Sequence, residues 1–236
     1  MTPSAHSGFR RDPEAANTEA VEDYAKAIYT LALRDHRPVG TSAVAARLGV
    51  SPGTVTAMLK RMAELGLLEH EPYHGVSLTA GGERVALEVI RHHRLIEAFL
   101  AESLDMPWDR VHDEAEVLEH YISEDLERRI SEKLGDPRSD PHGDPIPSAE
   151  LDLDKDETLG LAELDEGVSA TFTRVSDSDP EMLRYLAERG ITPGVELRVT
   201  GRQPFGGPLF VVAGETEHAL GGGLAEAIRV TLPAAV

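Results

Sequence analysis

The chain has 236 residues, 41% hydrophobic and 28% charged, enough for a packed core and for one to three compact units. It contains no cysteine, which excludes disulfides, thiolate metal sites and cysteine nucleophiles, and leaves oxygen and imidazole as metal donors. The net charge of -19 opposes a polyanion partner overall, but it is uneven: 34–61 holds five basic residues against Asp35, whereas 113–166 holds nineteen acids against five basic residues.

The first twenty residues include Arg10, Arg11 and Asp12 but no apolar core of a signal peptide, and no run approaches a membrane span. The expected address is cytoplasmic. Asn17 or Thr18 is placed to cap a first helix whose apolar positions Val21, Tyr24, Ile28 and Leu31 recur at helical spacing. Thr41 or Ser42 then opens a short helix over 43–48 that Gly49 ends. Ser51-Pro52 restarts the chain, serine as cap and proline at the first helical position. Val55, Leu59, Met62 and Leu65 form the buried stripe of that next helix. Two short helices across a glycine turn are a helix-turn-helix signature. Leu67 to Glu71 and Val76 to Leu78, around Pro72-Tyr73-His74-Gly75, read as a hairpin, which after a recognition helix is a wing.

Thr79 caps a long helix over 82–100, and after Met106-Pro107 a second long helix is expected over 109–134; these two are the expected dimer-forming helices. On the second, His112, Glu116 and His120 fall at i, i+4 and i+8 with Glu119 on the same flank, so imidazoles and carboxylates converge on one side. Ala115, Val117, Leu118, Tyr121 and Ile122 lie opposite and are free to pack. The plainer alternative is surface charge with two ordinary histidines. Proline, glycine and acids dominate 135–166, which reads as a linker. Beyond a boundary near Gly167, runs over 168–175, 195–199 and 209–212 read as strands, with a short helix over 181–189, as in a small barrel. The expected organisation is a winged helix-turn-helix over 1–80, a helical metal-binding and dimerisation domain over 81–147, a linker over 148–166 and a small barrel over 167–236. The fold class is mainly α with a β-rich C-terminal domain.

Glu22-Asp23-Tyr24 with Ile28-Tyr29, the helix over 51–67, Arg91 to Leu95, Glu116-Val117-Leu118-Glu119-His120 and His142-Gly143-Asp144-Pro145-Ile146-Pro147 together resemble the diphtheria-toxin-repressor family of metal-dependent transcriptional regulators, in particular its manganese-transport regulators. The resemblance covers 18–147 most specifically, implies that the small barrel over 167–236 is the family's SH3-like third domain, and implies a metal site of Asp23, Glu116, Glu119 and His120. Where the iron-sensing branch usually carries cysteine at the position of Glu116 and methionine near that of Asp23, this chain has carboxylates. Hard oxygen in place of soft sulfur shifts preference toward Mn²⁺, with Fe²⁺ as the alternative and Co²⁺, Cd²⁺ or Zn²⁺ as substitutes in vitro. His93 and Glu97, at i and i+4, suggest with His112 a second site, so two ions per subunit are expected. The third domain of such regulators adds an oxygen ligand, for which Asp177 and Asp179 are the candidates. Compact manganese regulators carry a glutamate one turn after the aspartate of helix one; Lys26 stands there, favouring a second site completed by the third domain.

For DNA, Ser51, Pro52, Thr54, Thr56 and Lys60 suit entry into the major groove, short hydroxyls donating to phosphate and fitting thymine methyls, while Arg37, Arg47, Lys60 and Arg61 would meet phosphate. A capped polar helix face is the plainer alternative. The resemblance implies a homodimeric repressor of metal-uptake genes on a palindromic operator, with one dimer or two per operator and no membrane partner. Two other classes compete. A di-metal carboxylate enzyme requires Glu-x-x-His pairs on facing helices, and the one pair here, Glu215 to His218, falls in a strand-like region. A winged-helix regulator sensing an organic ligand would use these acids only structurally.

Overall fold

The computed structural model describes residues 13–35, 38–71, 75–154 and 157–233. They divide into two compact units, Met1–Ile90 and Arg91–Val236. No helix among the described residues is long and apolar enough to cross a membrane.

The first unit holds α1 (Pro13–Asp35), α2 (Thr41–Leu48), α3 (Pro52–Glu64) and an antiparallel hairpin of β1 (Leu68–Glu71) and β2 (Gly75–Leu78). Helix α1 starts at Pro13 rather than at Asn17 or Thr18, because proline is compatible with a first turn and Ala15-Ala16 continue it. Helix α2 takes Thr41 as its first residue and Gly40 as its cap, without a side-chain cap bond, and Gly49 ends it at φ 66°. Ser51 caps α3 as expected, its Oγ accepting from the Thr54 amide at 3.2 Å. Val55, Leu59 and Met62 are buried with Val21, Tyr24, Ile28 and Leu31 of α1 in one core. Leu65 leaves that stripe: it falls past the helix end and is 55% exposed. Residues 72–74 of the hairpin turn lie outside the described residues. Val39 lengthens the wing by pairing with Val76, at 2.9 and 3.0 Å, and Gly75 is required there because a Cβ would lie 2.4 Å from the Val39 oxygen.

Thr79 begins α4 (Ala80–Leu104), its hydroxyl accepting from the Gly82 amide at 3.2 Å and donating to the Gly66 oxygen at 2.8 Å. In the second unit the expected helix over 109–134 is broken into α5 (Val111–Leu118) and α6 (Glu124–Leu134). Ser123 causes the restart: its side chain accepts from the Leu126 amide, and Glu124, Asp125 and Glu127 load the new first turn with negative charge. His120 therefore lies in a turn rather than one helical step beyond Glu116. Ala115 packs with Ile96, Leu100 and Val111, whereas Val117, Leu118 and Tyr121 are 56%, 43% and 55% exposed.

The stretch after α6 is more than a linker. Ile146 packs on Leu95 and Ile130, and Asp140 and His142 are buried. Asp140 Oδ1 accepts from the His142 and Asp144 amides at 2.8 and 3.0 Å, closing a tight turn. A six-stranded antiparallel sheet of order β3-β8-β4-β5-β6-β7 follows, formed by β3 (Leu159–Gly160), β4 (Ser169–Val175), β5 (Glu196–Arg202), β6 (Leu209–Ala213), β7 (Thr216–Leu220) and β8 (Ile228–Thr231). Helix α7 (Pro180–Ala187) follows β4 and α8 (Gly222–Ala227) precedes β8; the core contains Phe172, Leu183, Leu197, Leu209 and Ile228. Strands β3, β7 and β8 go beyond the sequence expectation, and β3 lies upstream of Gly167. Glu217, His218 and Arg229 interrupt the apolar alternation of the last two strands.

The 140–144 turn is fastened to β4. The Val175 amide donates to the His142 oxygen at 3.0 Å, Arg174 Nη1 donates to Asp144 Oδ1 at 3.0 Å, and a Cβ on Gly143, at φ 90°, would lie 1.9 Å from the Thr173 oxygen.

Candidate metal centre

Four side chains from three elements of the second unit converge. His93 and Glu97 share the buried face of α4, one turn apart, with His93 Nε2 at 3.1 Å from Glu97 Oε1. His112, at the start of α5, brings Nδ1 to 3.1 Å from His93 Nε2 and 3.4 Å from Glu97 Oε1. Asp177, in the loop between β4 and α7, reaches His112 Nδ1 at 3.0 Å. The donor atoms of these four lie within 4.8 Å of one another. Asp179 does not join them: it caps α7, accepting from the Glu181 and Met182 amides at 3.0 and 3.2 Å.

The electrostatics fit a divalent cation. Burial pushes the Glu97 carboxyl up, but the His112, His142 and His93 imidazoles beside it outweigh this and hold it well below the usual range. The bond to Asp177 and then that to Glu97 push His112 up to about 10. Burial raises Asp177, but the His112 bond lowers it further. The proton held on His112 thus stands where a metal would offset the same carboxylates, and every donor is oxygen or imidazole.

A second set adjoins the first through His93. Its Nδ1 contacts Glu119 and lies 3.8 Å from Glu116 Oε1, while His112 Nε2 also lies 3.8 Å from Glu116 Oε1. Glu119 is buried and His120 half-buried, His120 Nε2 being 3.7 Å from Glu119 Oε1. Asp23 is half-buried on α1 in the first unit. His92, by contrast, is a packing histidine, held between the Glu119 oxygen and Glu127 Oε2 at 3.2 Å each.

The sequence reading assigned no role to His142 or Asp140. His142 is fully buried and stacks on Trp108 at 5.8 Å, with Nε2 2.7 Å from the Trp108 oxygen and Nδ1 3.6 Å from Glu97 Oε2. Burial lowers His142, but Glu97 raises it, to about 9. Burial, and then Glu97, push Asp140 up to about 8. The available signal was a histidine flanked by Asp140 and Asp144 in a stretch otherwise lacking ligand spacing.

In the first unit, Ser51, Pro52, Thr54, Thr56, Lys60 and Arg61 of the α3 segment and Arg47 of α2 are all exposed. The Ser51 and Thr54 hydroxyls lie 2.8 Å apart, and the Thr56 hydroxyl donates to the Pro52 oxygen at 2.9 Å, so these side chains are locally tethered. Arg37 lies outside the described residues.

Comparison with known proteins gives three matches along the chain. Residues 17–76 match the iron dependent repressor N-terminal DNA binding domain, residues 79–148 the iron dependent repressor metal binding and dimerisation domain, and residues 159–232 the FeoA domain. The iron-dependent repressor IdeR of Mycobacterium tuberculosis is 32% identical over 224 residues, covering 90% of this chain and 96% of that protein. The transcriptional regulator MntR of Escherichia coli O157:H7 is 42% identical over 118 residues, 50% of this chain and 75% of its own. A solved manganese-dependent transcriptional repressor in complex with manganese is 41% identical, with a TM-score of 0.82, covering 90% of this chain and all of its own. ScaR with bound Zn²⁺ has 31% identity and a TM-score of 0.76.

Proposed function

The chain belongs to the diphtheria-toxin (iron-dependent) repressor family of metal-dependent DNA-binding transcriptional regulators, and from that premise we propose a Mn²⁺-activated repressor of metal-uptake genes. The family is one of repressors, not enzymes, which removes the di-metal enzyme alternative. The single observation carrying the metal assignment is the convergence of His93, Glu97, His112 and Asp177, an all-oxygen-and-imidazole set without sulfur.

Two ions per subunit are proposed. One takes Asp23, Glu116, Glu119 and His120; the other takes His93, Glu97, His112 and Asp177, with Asp179 left as a helix cap. These residues would hold Mn²⁺, which would supply two positive charges to an oxygen-and-imidazole set. Asp23, Glu116 and Glu119 are three carboxylates that repel one another until a cation balances them, so the domain carrying α3 is held in one arrangement only when they are loaded. On a homodimer, that fixes the separation of two α3 helices, and a palindromic operator selects it, with half-sites about one helical turn or roughly 34 Å apart. Each linked site would contribute about 1–3 kcal/mol of coupling. Ser51, Pro52, Thr54, Thr56 and Lys60 lie on the groove face, and Arg37, Arg47, Lys60 and Arg61 meet the phosphates, in the cytoplasm. An iron response is the second reading, favoured by the relative that is named for iron and spans most of this chain.

The test is operator binding titrated with Mn²⁺. Glu116→Ala or His120→Ala should abolish the metal response while leaving far-UV circular dichroism unchanged, and an undiminished response in both variants overturns the ligand assignment.

A further inference from the structure

We propose that Glu97, Asp140 and His142 form a third divalent-cation site, in which Glu97 bridges to the second site. The His142 ring gives the geometric reason. Its Nε2 faces the Trp108 carbonyl at 2.7 Å, and a carbonyl only accepts, so Nε2 carries a hydrogen and the lone pair of the neutral ring is on Nδ1. That Nδ1 is buried without a hydrogen-bond partner, and Glu97 Oε2, 3.6 Å away, is likewise buried without one. Two orphaned buried acceptors facing each other are costly. A separation of 3.6 Å is too long for an N–H···O bond. It lies in the range for two ligands on one ion, since donors about 2.2 Å from a metal are about 3.1 Å apart at a right angle and about 3.6 Å apart at about 110°.

Asp140 adds the third donor, and the three donor atoms lie within 4.8 Å of one another, all in buried residues. Its Oδ1 is engaged by two amides of the turn, which fixes the carboxylate, and Arg94 Nε approaches Oδ2 only to 3.8 Å. With Glu97 shared, Glu97, Asp140 and Asp177 direct three negative charges at the two ions, and His142 adds a neutral imidazole to this one. Glu97 divides its oxygens: Oε1 faces His93 and His112, and Oε2 faces His142. The inference touches the reading above only through this shared Glu97. The donor set is hard, so manganese is the cation to test.

The experiment is an anomalous difference map, at the manganese edge, of the full chain crystallised with MnCl₂, with bound manganese counted by mass spectrometry. A peak bounded by Glu97, Asp140 and His142 supports the site, and Asp140→Asn, which keeps the Oδ1 acceptor, should lower the count from three per subunit to two. Peaks at the other positions with none here overturn it, as does an Asp140→Asn protein that keeps the wild-type count. A missing peak at His93, His112 and Asp177 would count against the second site instead, so the two failures are told apart by position. If Asp140→Asn does not fold, the wild-type map alone decides.

Discussion

Glu116 shows how much one side chain decides. A carboxylate there makes the donor set wholly oxygen and nitrogen, so Glu116→Cys should move repression toward iron or cobalt in a reporter titrated across metals. An unchanged metal ranking would remove Glu116 from the ligands. His112 yields the pH dependence. Its folded value of about 10 lies above the ordinary 6.5, so its contribution to the metal-free fold is fully present below pH 6.5 and is lost as pH rises through 10. In chelator, the melting temperature should fall between pH 7 and pH 10.5 by more in wild type than in His112→Gln; equal falls would contradict this. At this scale the sequence was legible wherever spacing carried the signal, as for His93 with Glu97. It left Asp177 and Asp179 unresolved, because both precede the same helix and only three-dimensional placement reveals that Asp179 is spent on the α7 amides. His142 was invisible for a related reason: its partners come from α4 and from the loop before α5, far away in sequence.

At the scale of elements, the helix-turn-helix and wing were legible because caps and turn residues mark them directly, Ser51-Pro52 above all. The α5–α6 break was missed because apolar periodicity continues across it while the cap at Ser123 interrupts it. Lys60, exposed on α3 with Glu64 at 3.9 Å, gives a test of the DNA face. Lys60→Ala should reduce the slope of log affinity against log salt by about 1 per helix while leaving sequence preference intact; a lost preference with an unchanged slope would make it a base contact instead. Gly143→Ala tests the turn, since its Cβ would meet the Thr173 oxygen at 1.9 Å and its φ is 90°. It should destabilise by about 1–3 kcal/mol in urea denaturation, and a neutral result would mean that the turn and β4 shift apart at little cost.

For the whole molecule, the charge distribution is the organising fact: the excess acid belongs to the segment that gathers cations, and the exposed α3 is not burdened by it. Val117, Leu118 and Tyr121 are large exposed side chains among the described residues, and a second copy is the proposed cover for this stretch. Val117→Glu should convert the dimer to a monomer in light scattering and weaken operator binding with manganese content retained; a persistent dimer would place the interface elsewhere. The stapling of the 140–144 turn onto β4, with Asp177 a few residues further along, also bears on how such chains diversify. A barrel grafted from a cousin would have to bring its own matching seam at Thr173 and its own aspartate, so recombination within 148–166 should give mostly crippled offspring, and lineages should inherit helices and barrel as a package.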